Sequence, residues 1–196
     1  MTERALANTG GGRSSPVRSL RAATTDDLPA IRTLIQESVR GLSEGFYSPA
    51  QIESGLTYVF GADTQLIADG TYYVIHDDGG MIACGGWSRR ATLYGGDQHK
   101  SAVDPLLDPE LSPARIRAFF VHPGRARQGL GRMLFDACIA AARRARFSAF
   151  ELGATLPGVP LYLALGFESR ARLDATLPDG VVLPIVRMWR AFDTRA

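Results

Sequence analysis

Apolar and polar positions change period several times along this chain, and each change marks an element. Val17 to Ala22 alternates as a short strand. Thr24-Thr25-Asp26-Asp27 then supplies a helix start, and Leu28, Ile31, Leu34, Ile35 and Val39 recur at helical spacing. Gly41 to Tyr47 reads as a loop. A second helix is announced by Ser48-Pro49-Ala50-Gln51: Ser48 can cap, Pro49 suits the first turn, and Gln51 closes a capping box before Ile52, Leu56, Val59 and Phe60. Thr71 to His76 and Met81 to Ser88 are β-rich runs joined by Asp77-Asp78-Gly79-Gly80, a strong hairpin signal.

The second half repeats the alternation of element types. Residues 91 to 113 are polar and turn-rich, with Pro105, Pro109 and Pro113. A connection this long inside a compact domain is usually functional or mobile, which makes it a candidate substrate-covering loop. Arg115 to Val121 reads as a strand ended by His122-Pro123, and Leu130, Met133, Leu134, Ala137, Cys138 and Ala141 mark one face of a helix. Ser148 to Gly153 is a further strand, Pro160 to Leu165 a short helix stopped by Gly166, and Phe167 to Leu173 and Val182 to Trp189 two final strands. Early helices, a mixed sheet and a strand-helix-strand core predict an α/β or α+β domain without internal repeats.

Composition narrows the class. With 196 residues, 45% hydrophobic and 21% charged, the chain fits one domain over 17–196 with a real core. Residues 1–16, ending in Gly10-Gly11-Gly12-Arg13-Ser14-Ser15-Pro16, lack the apolar surface to offset ordering entropy and are expected to form a flexible tail. A formal net charge of +2 implies no general attraction to nucleic acid or to an anionic membrane, so any anion site must be local. Cys84 and Cys138 lie far apart without metal-ligand spacing and are expected to be reduced core residues. No run approaches the apolar length of a membrane span, and the expected location is cytoplasmic.

The most informative stretch is Val121-His122-Pro123-Gly124-Arg125-Ala126-Arg127-Gln128-Gly129-Leu130-Gly131-Arg132, which places glycines between a strand and a helix start. The first turn of a helix has amide N–H groups without intrahelical partners and a partial positive charge, so it binds phosphates well. Arg125, Arg127 and Arg132 crowd that end, against the usual placement of cations, and a diphosphate would relieve the repulsion. From spacing alone a second reading fits equally: Gly129 and Gly131 permit tight strand-helix packing, and the arginines form a solvated face. The sequence has no nucleotide phosphate loop and does not match the dinucleotide fingerprint.

Val121-His122-Pro123 followed by Arg127-Gln128-Gly129-Leu130-Gly131 resembles the coenzyme-A-binding motif of the GNAT N-acetyltransferase superfamily, with Ala126 where the family usually has Gln or Arg. Downstream, Tyr162-Leu163-Ala164-Leu165-Gly166-Phe167 resembles the family's Y-x-x-x-G-F segment, and Thr155 stands where many members have asparagine. The resemblance implies a mixed, mostly antiparallel sheet of about six to seven strands with about four flanking helices. It also implies that the strands on either side of the binding helix splay apart to admit pantetheine.

The same resemblance assigns roles. Backbone groups of Phe119 and Val121 would hold pantetheine, with the Val121 amide on the thioester carbonyl. The amides of Arg127, Gln128, Gly129, Leu130, Gly131 and Arg132 would hold the diphosphate of acetyl-CoA, and Thr155 would add a cofactor contact. Tyr162 is the candidate general acid, since a neutral phenol can protonate a leaving thiolate. The strand 115–121 has no carboxylate where many relatives place the base, leaving Glu44, or Asp97 and His99, as candidates. Trp87, Tyr94, Phe46 and Tyr47 could line an acceptor pocket, and Arg89, Arg90 and Arg117 could meet an acidic acceptor group or serve ion pairs. The expected activity is acetyl transfer to a primary amine of a small molecule or peptide, without metal, nucleic acid or membrane. The alternative is a non-catalytic acyl-CoA-binding sensor, and an exposed late strand would allow a homodimer.

Overall fold

The computed structural model describes residues 17–99 and 104–192, so the expected tail over 1–16 lies outside the described residues. Among the described residues, seven strands form one sheet: β1 (Ser19–Ala22), β2 (Tyr72–Asp77), β3 (Gly80–Ser88), β4 (Ala114–Val121), β5 (Ala149–Thr155), β6 (Glu168–Thr176) and β7 (Val182–Ala191). Five α-helices accompany them: α1 (Leu28–Leu42), α2 (Pro49–Tyr58), α3 (Thr64–Ala68), α4 (Leu130–Arg144) and α5 (Val159–Ala164). The sheet order is β1-β2-β3-β4-β5-β7-β6, and every neighbouring pair is antiparallel except β4 with β5.

Local chemistry explains most boundaries. Asp27 accepts from the Thr24 amide at 2.8 Å and takes both Arg21 terminal nitrogens at 2.7 Å, which fixes the turn from β1 into α1. Ser48 and Gln51 form the expected reciprocal capping box at the start of α2. The β2–β3 hairpin turns at Asp78-Gly79, with Asp77 opposite Gly80. Gly166 takes a left-handed φ of 83° and ends the α5 turn, as its position predicts. The short helix α3, capped by Asp63 through the Leu66 amide, is a fifth helix beside the about four that the resemblance implies.

Side-chain alternation distributes the core over both sheet faces. Tyr72 and Val74 of β2 pack with Ile31, Leu34 and Ile35 of α1, while Ile75 joins Leu130 and Leu134 of α4. A further cluster sets Phe135 and Cys138 of α4 against Phe150 and Leu152 of β5. Each such fully buried large side chain contributes roughly 1.5–3 kcal/mol. Cys84 and Cys138 are free and buried in separate clusters.

Two irregularities shape the middle of the sheet. Between Cys84↔Phe120 and Gly86↔Arg117, β4 carries one more residue than β3, a bulge in which Ala118 has φ 53°. The bulge turns the Ala118 carbonyl toward the Tyr72 hydroxyl at 3.2 Å. Beyond it, β4 and β5 pair only at Ala114↔Phe150 and Arg115↔Glu151, then part. The splay implied by the resemblance is therefore present, and it opens a cleft between the two strands.

Candidate functional site

The cleft has a volume of about 690 Å³ and is floored by β4 from Ile116 to Val121. Its two ends are chemically different. One end lies at the turn from β4 into α4, where Arg127 adopts φ 63° and Gly129, the N-cap of α4, adopts φ 82°. These left-handed residues lay successive amides along one side of the turn. Among the described residues, no protein group accepts from the amides of Arg127, Gln128, Gly129, Leu130, Gly131 or Arg132; the first α4 amide with a partner is Met133, which donates to the Gly129 carbonyl. Gly131 also admits the Leu161 side chain, which a Cβ there would meet at 2.7 Å, so the packing reading of this glycine holds alongside the anion reading.

The arginines at this end are less alike than their spacing suggests. Arg125 is paired with Asp77 at 3.0 Å and so does not add an unbalanced charge, which corrects the picture of three crowding cations. Arg132 reaches the Ala164 carbonyl at 3.3 Å, linking α4 to the end of α5. The Gln128 side chain and carbonyl both accept from Arg18, and Gln128 is not among the residues that line the cleft.

Midway along the cleft sit Phe119, Val121, Thr155 and Tyr162. Tyr162 is 7% exposed, tilted against Phe119 at 6.2 Å and set edge-on to Phe167 at 5.5 Å. Its hydroxyl has no protein partner among the described residues, and burial pushes its pKa well above the ordinary phenol range. Thr155 ends β5 at the N-cap position of the following turn, without a side-chain capping bond, and also lines the cleft. The Val121 amide, expected to be an open donor, is occupied: it donates to the Ser38 hydroxyl at 3.1 Å. Ser38, on α1 and only 5% exposed, also lines the cleft and was not anticipated. Its signal was a small polar residue on the apolar stripe of α1, four residues after Leu34 and three after Ile35.

The far end is held by a buried ion pair. Arg117, 2% exposed, binds Asp63, 0% exposed, at 2.9 Å and donates to the carbonyls of Thr92 and Gly95. Burial lowers the guanidinium pKa, yet Asp63 opposes that shift. Arg117 therefore fastens the loop after β3 across the cleft, where Leu93, Tyr94, Gly95 and Gly96 contribute wall. Arg90 likewise pairs with Asp69 and carries the Asp104 carbonyl.

The remaining candidates do not converge on Tyr162. Glu44 is exposed and outside the cleft wall. Asp97 accepts from the Thr64 amide, and His99 lies on Tyr94 at 4.9 Å with its pKa lowered by loss of water and by Arg117. Trp87 is a core residue, not a pocket residue. Tyr47 is a clamp: its hydroxyl accepts from Leu156 at 2.9 Å and donates to Pro184 at 2.7 Å, and burial raises its pKa to about 12. Phe46 and Tyr94 do line the cleft. Among the described residues no cluster of three His, Cys, Asp or Glu could hold a metal ion, and no helix is long and apolar enough to cross a membrane.

Comparison with known proteins agrees with this geometry. No curated protein sequence matches the chain. Among solved structures, a GCN5-related N-acetyltransferase from Rhodopseudomonas palustris superposes with TM-score 0.67 at 16% identity, over 92% of this chain and 100% of that one. PaiA N-acetyltransferase from Thermoplasma acidophilum, in complex with coenzyme A, gives 0.61 at 12% identity over 90% and 99%. A phosphinothricin acetyltransferase from Sinorhizobium meliloti, in complex with acetyl-CoA, gives 0.58 at 20% over 89% and 88%. At these identities the likeness establishes the fold. The family model described as an acetyltransferase (GNAT) domain matches residues 68–169, which include the splayed strands, the open amides and Tyr162. The chain belongs to the GNAT acetyltransferase family, and it is an acyltransferase.

Proposed function

We propose that the protein moves an acetyl group from acetyl-CoA to a primary amine, which attacks directly within a ternary complex. The observation that carries this reading is the row of unpartnered amides from Arg127 to Arg132, at one end of a cleft that leads to the free Tyr162 hydroxyl. Acetyl-CoA supplies an acyl group already activated as a thioester. The amides, with the Arg127 and Arg132 side chains, suit its diphosphate; Phe119 and Thr155 line the part of the cleft where pantetheine would run.

The chain's own groups then divide the chemistry. Ser38 accepts the Val121 amide proton and retains its own proton, so its hydroxyl, polarised by that amide, is placed to steady the carbonyl oxygen as charge develops. This modifies the role expected of the Val121 amide alone. Tyr162 stays protonated throughout the physiological range and gives its proton to the departing sulfur as the C–N bond forms and the C–S bond breaks. The amine releases its proton to water, which restores Tyr162. Glu44 takes no part in this scheme, because it does not line the cleft.

A non-catalytic acyl-CoA sensor is favoured by one specific observation, Arg117 standing on β4 where a base was sought. Calorimetry with acetyl-CoA, paired with thiol release across a panel of amines, separates the two. Tyr162→Phe is expected to lower kcat about 100-fold with acetyl-CoA affinity unchanged. Tight binding without turnover on any amine would favour the sensor.

A further inference from the structure

Resting on the acetyl-transfer reading, we propose that the acceptor is a weakly basic primary amine carried on an apolar body, and that polycationic amines are excluded. The end of the cleft opposite the open amides carries the inference. The Arg117-held loop brings Tyr94 to Gly153, where Tyr94 Cδ1 and Ile185 Cδ1 both lie 3.2 Å from the position a Cβ would take. The Gly96 amide donates to the Val59 carbonyl, just before Phe60, while Tyr47, which follows Phe46 in the chain, donates its hydroxyl to the Pro184 carbonyl. Phe46, Phe60, Leu93, Tyr94 and Ile185 thus form an apolar acceptor end.

The charge of the cleft wall agrees. Among the described residues, its charged side chains are Arg117 from β4, Arg125 and Arg127 from the turn, and Arg132 from α4; α1, α5, β5 and β7 contribute only Ser38, Tyr162, Thr155 and apolar groups. Among the described residues no carboxylate or imidazole lines it to pair with an ammonium or to remove its proton. An ammonium at the apolar end would lose its water without gaining an anion, which is strongly unfavourable. A neutral amine with an aromatic body loses little and buries apolar surface.

Basicity then decides which amines enter. An α-amino group with a reference pKa near 7.8 is about one quarter neutral at pH 7.4, whereas an alkylamine near 10.4 is neutral in about one molecule per thousand. Phenylalaninamide, phenethylamine and spermidine separate body from basicity. With acetyl-CoA binding measured independently by calorimetry, kcat/KM at pH 7.4 should be at least about tenfold higher for phenylalaninamide than for phenethylamine, and lowest for spermidine. The gap should narrow by about pH 9.5, each profile following its own amine's titration. Phe46→Glu, at a half-exposed site that carries little folding risk, should raise the relative rate on spermidine.

Spermidine outpacing phenylalaninamide, or a rising limb fixed at one pH for both monoamines, overturns the proposal and points to an enzyme base. Loss of acetyl-CoA binding removes the acetyl-transfer reading itself. Intact binding with no turnover of any of the three amines removes both in favour of the sensor.

Discussion

At the scale of single residues, Ser38 carries the sharpest consequence. Its hydroxyl accepts from the Val121 amide and lines the cleft, so in the proposed mechanism the oxygen contact expected of a backbone group passes through a side chain. Ser38→Ala should lower kcat about 100-fold while acetyl-CoA affinity stays within about twofold, because the lost donor matters most when the oxygen gains charge. A kcat that holds or rises would mean that the freed amide does the work, and the Ser38 role would fall. Steady-state thiol release and calorimetry decide between them. What the sequence could reveal at this scale follows the range of the interaction. The placement of Tyr162 and of the turn at 127–132 beside one cleft was legible because a local motif sets both. The occupation of the Val121 amide by Ser38, 83 residues away, and of Arg125 by Asp77, 48 residues away, depends on tertiary packing that no local pattern encodes. The position of Glu44, exposed and away from the cleft lining, was hidden for the complementary reason: a carboxylate in a loop has no periodicity to say which way it faces.

Among the elements, β4 is where sequence and structure diverge most instructively. Its alternation identified the strand, but neither the bulge at Ala118 nor the burial of Arg117 could be read from it. Arg117 is buried because Asp63 meets it, and Asp63 is in place because it caps α3, a five-residue helix too short to show a helical period. The β7-β6 order at the sheet edge was likewise hidden, since neighbouring strands in sequence need not share the same inner partner. Asp63→Asn can keep the cap on α3 while leaving the Arg117 guanidinium buried without a carboxylate. It should lower the unfolding free energy by about 3–5 kcal/mol, read from the urea midpoint. Asp63→Leu combined with Arg117→Met should recover much of that loss, since an apolar pair of similar volume avoids desolvating two charges. Equal instability in the double variant would show that the tether to Thr92 and Gly95 together with the α3 cap, not the ion pair, dominates.

For the molecule as a whole, the splay divides the sheet into β1–β4 and β5–β7, joined directly by only two residue pairs. Around that narrow seam, Glu151 of β5 binds Arg115 of β4 at 2.6 Å and Arg187 of β7 at 2.5 Å, and the Tyr47 hydroxyl bridges Leu156 and Pro184. A ligand lying in the cleft would touch both halves, and on the proposed reading the folded state alone presents the amide row that receives its diphosphate. At a concentration of 100 Kd, acetyl-CoA should therefore stabilise the protein by about 2.7 kcal/mol. For a chain of this size that corresponds to a Tm rise of about 5–10 °C by calorimetry. Arg132→Glu reverses a charge beside the amides while leaving the N-terminal glycine cap of α4 intact. A tenfold weaker Kd would cut the stabilisation at the same ligand concentration to about half, because the effect grows only with the logarithm of occupancy. A Tm rise left undiminished by that reversal would place the diphosphate elsewhere and detach the cleft from the turn at Gly129.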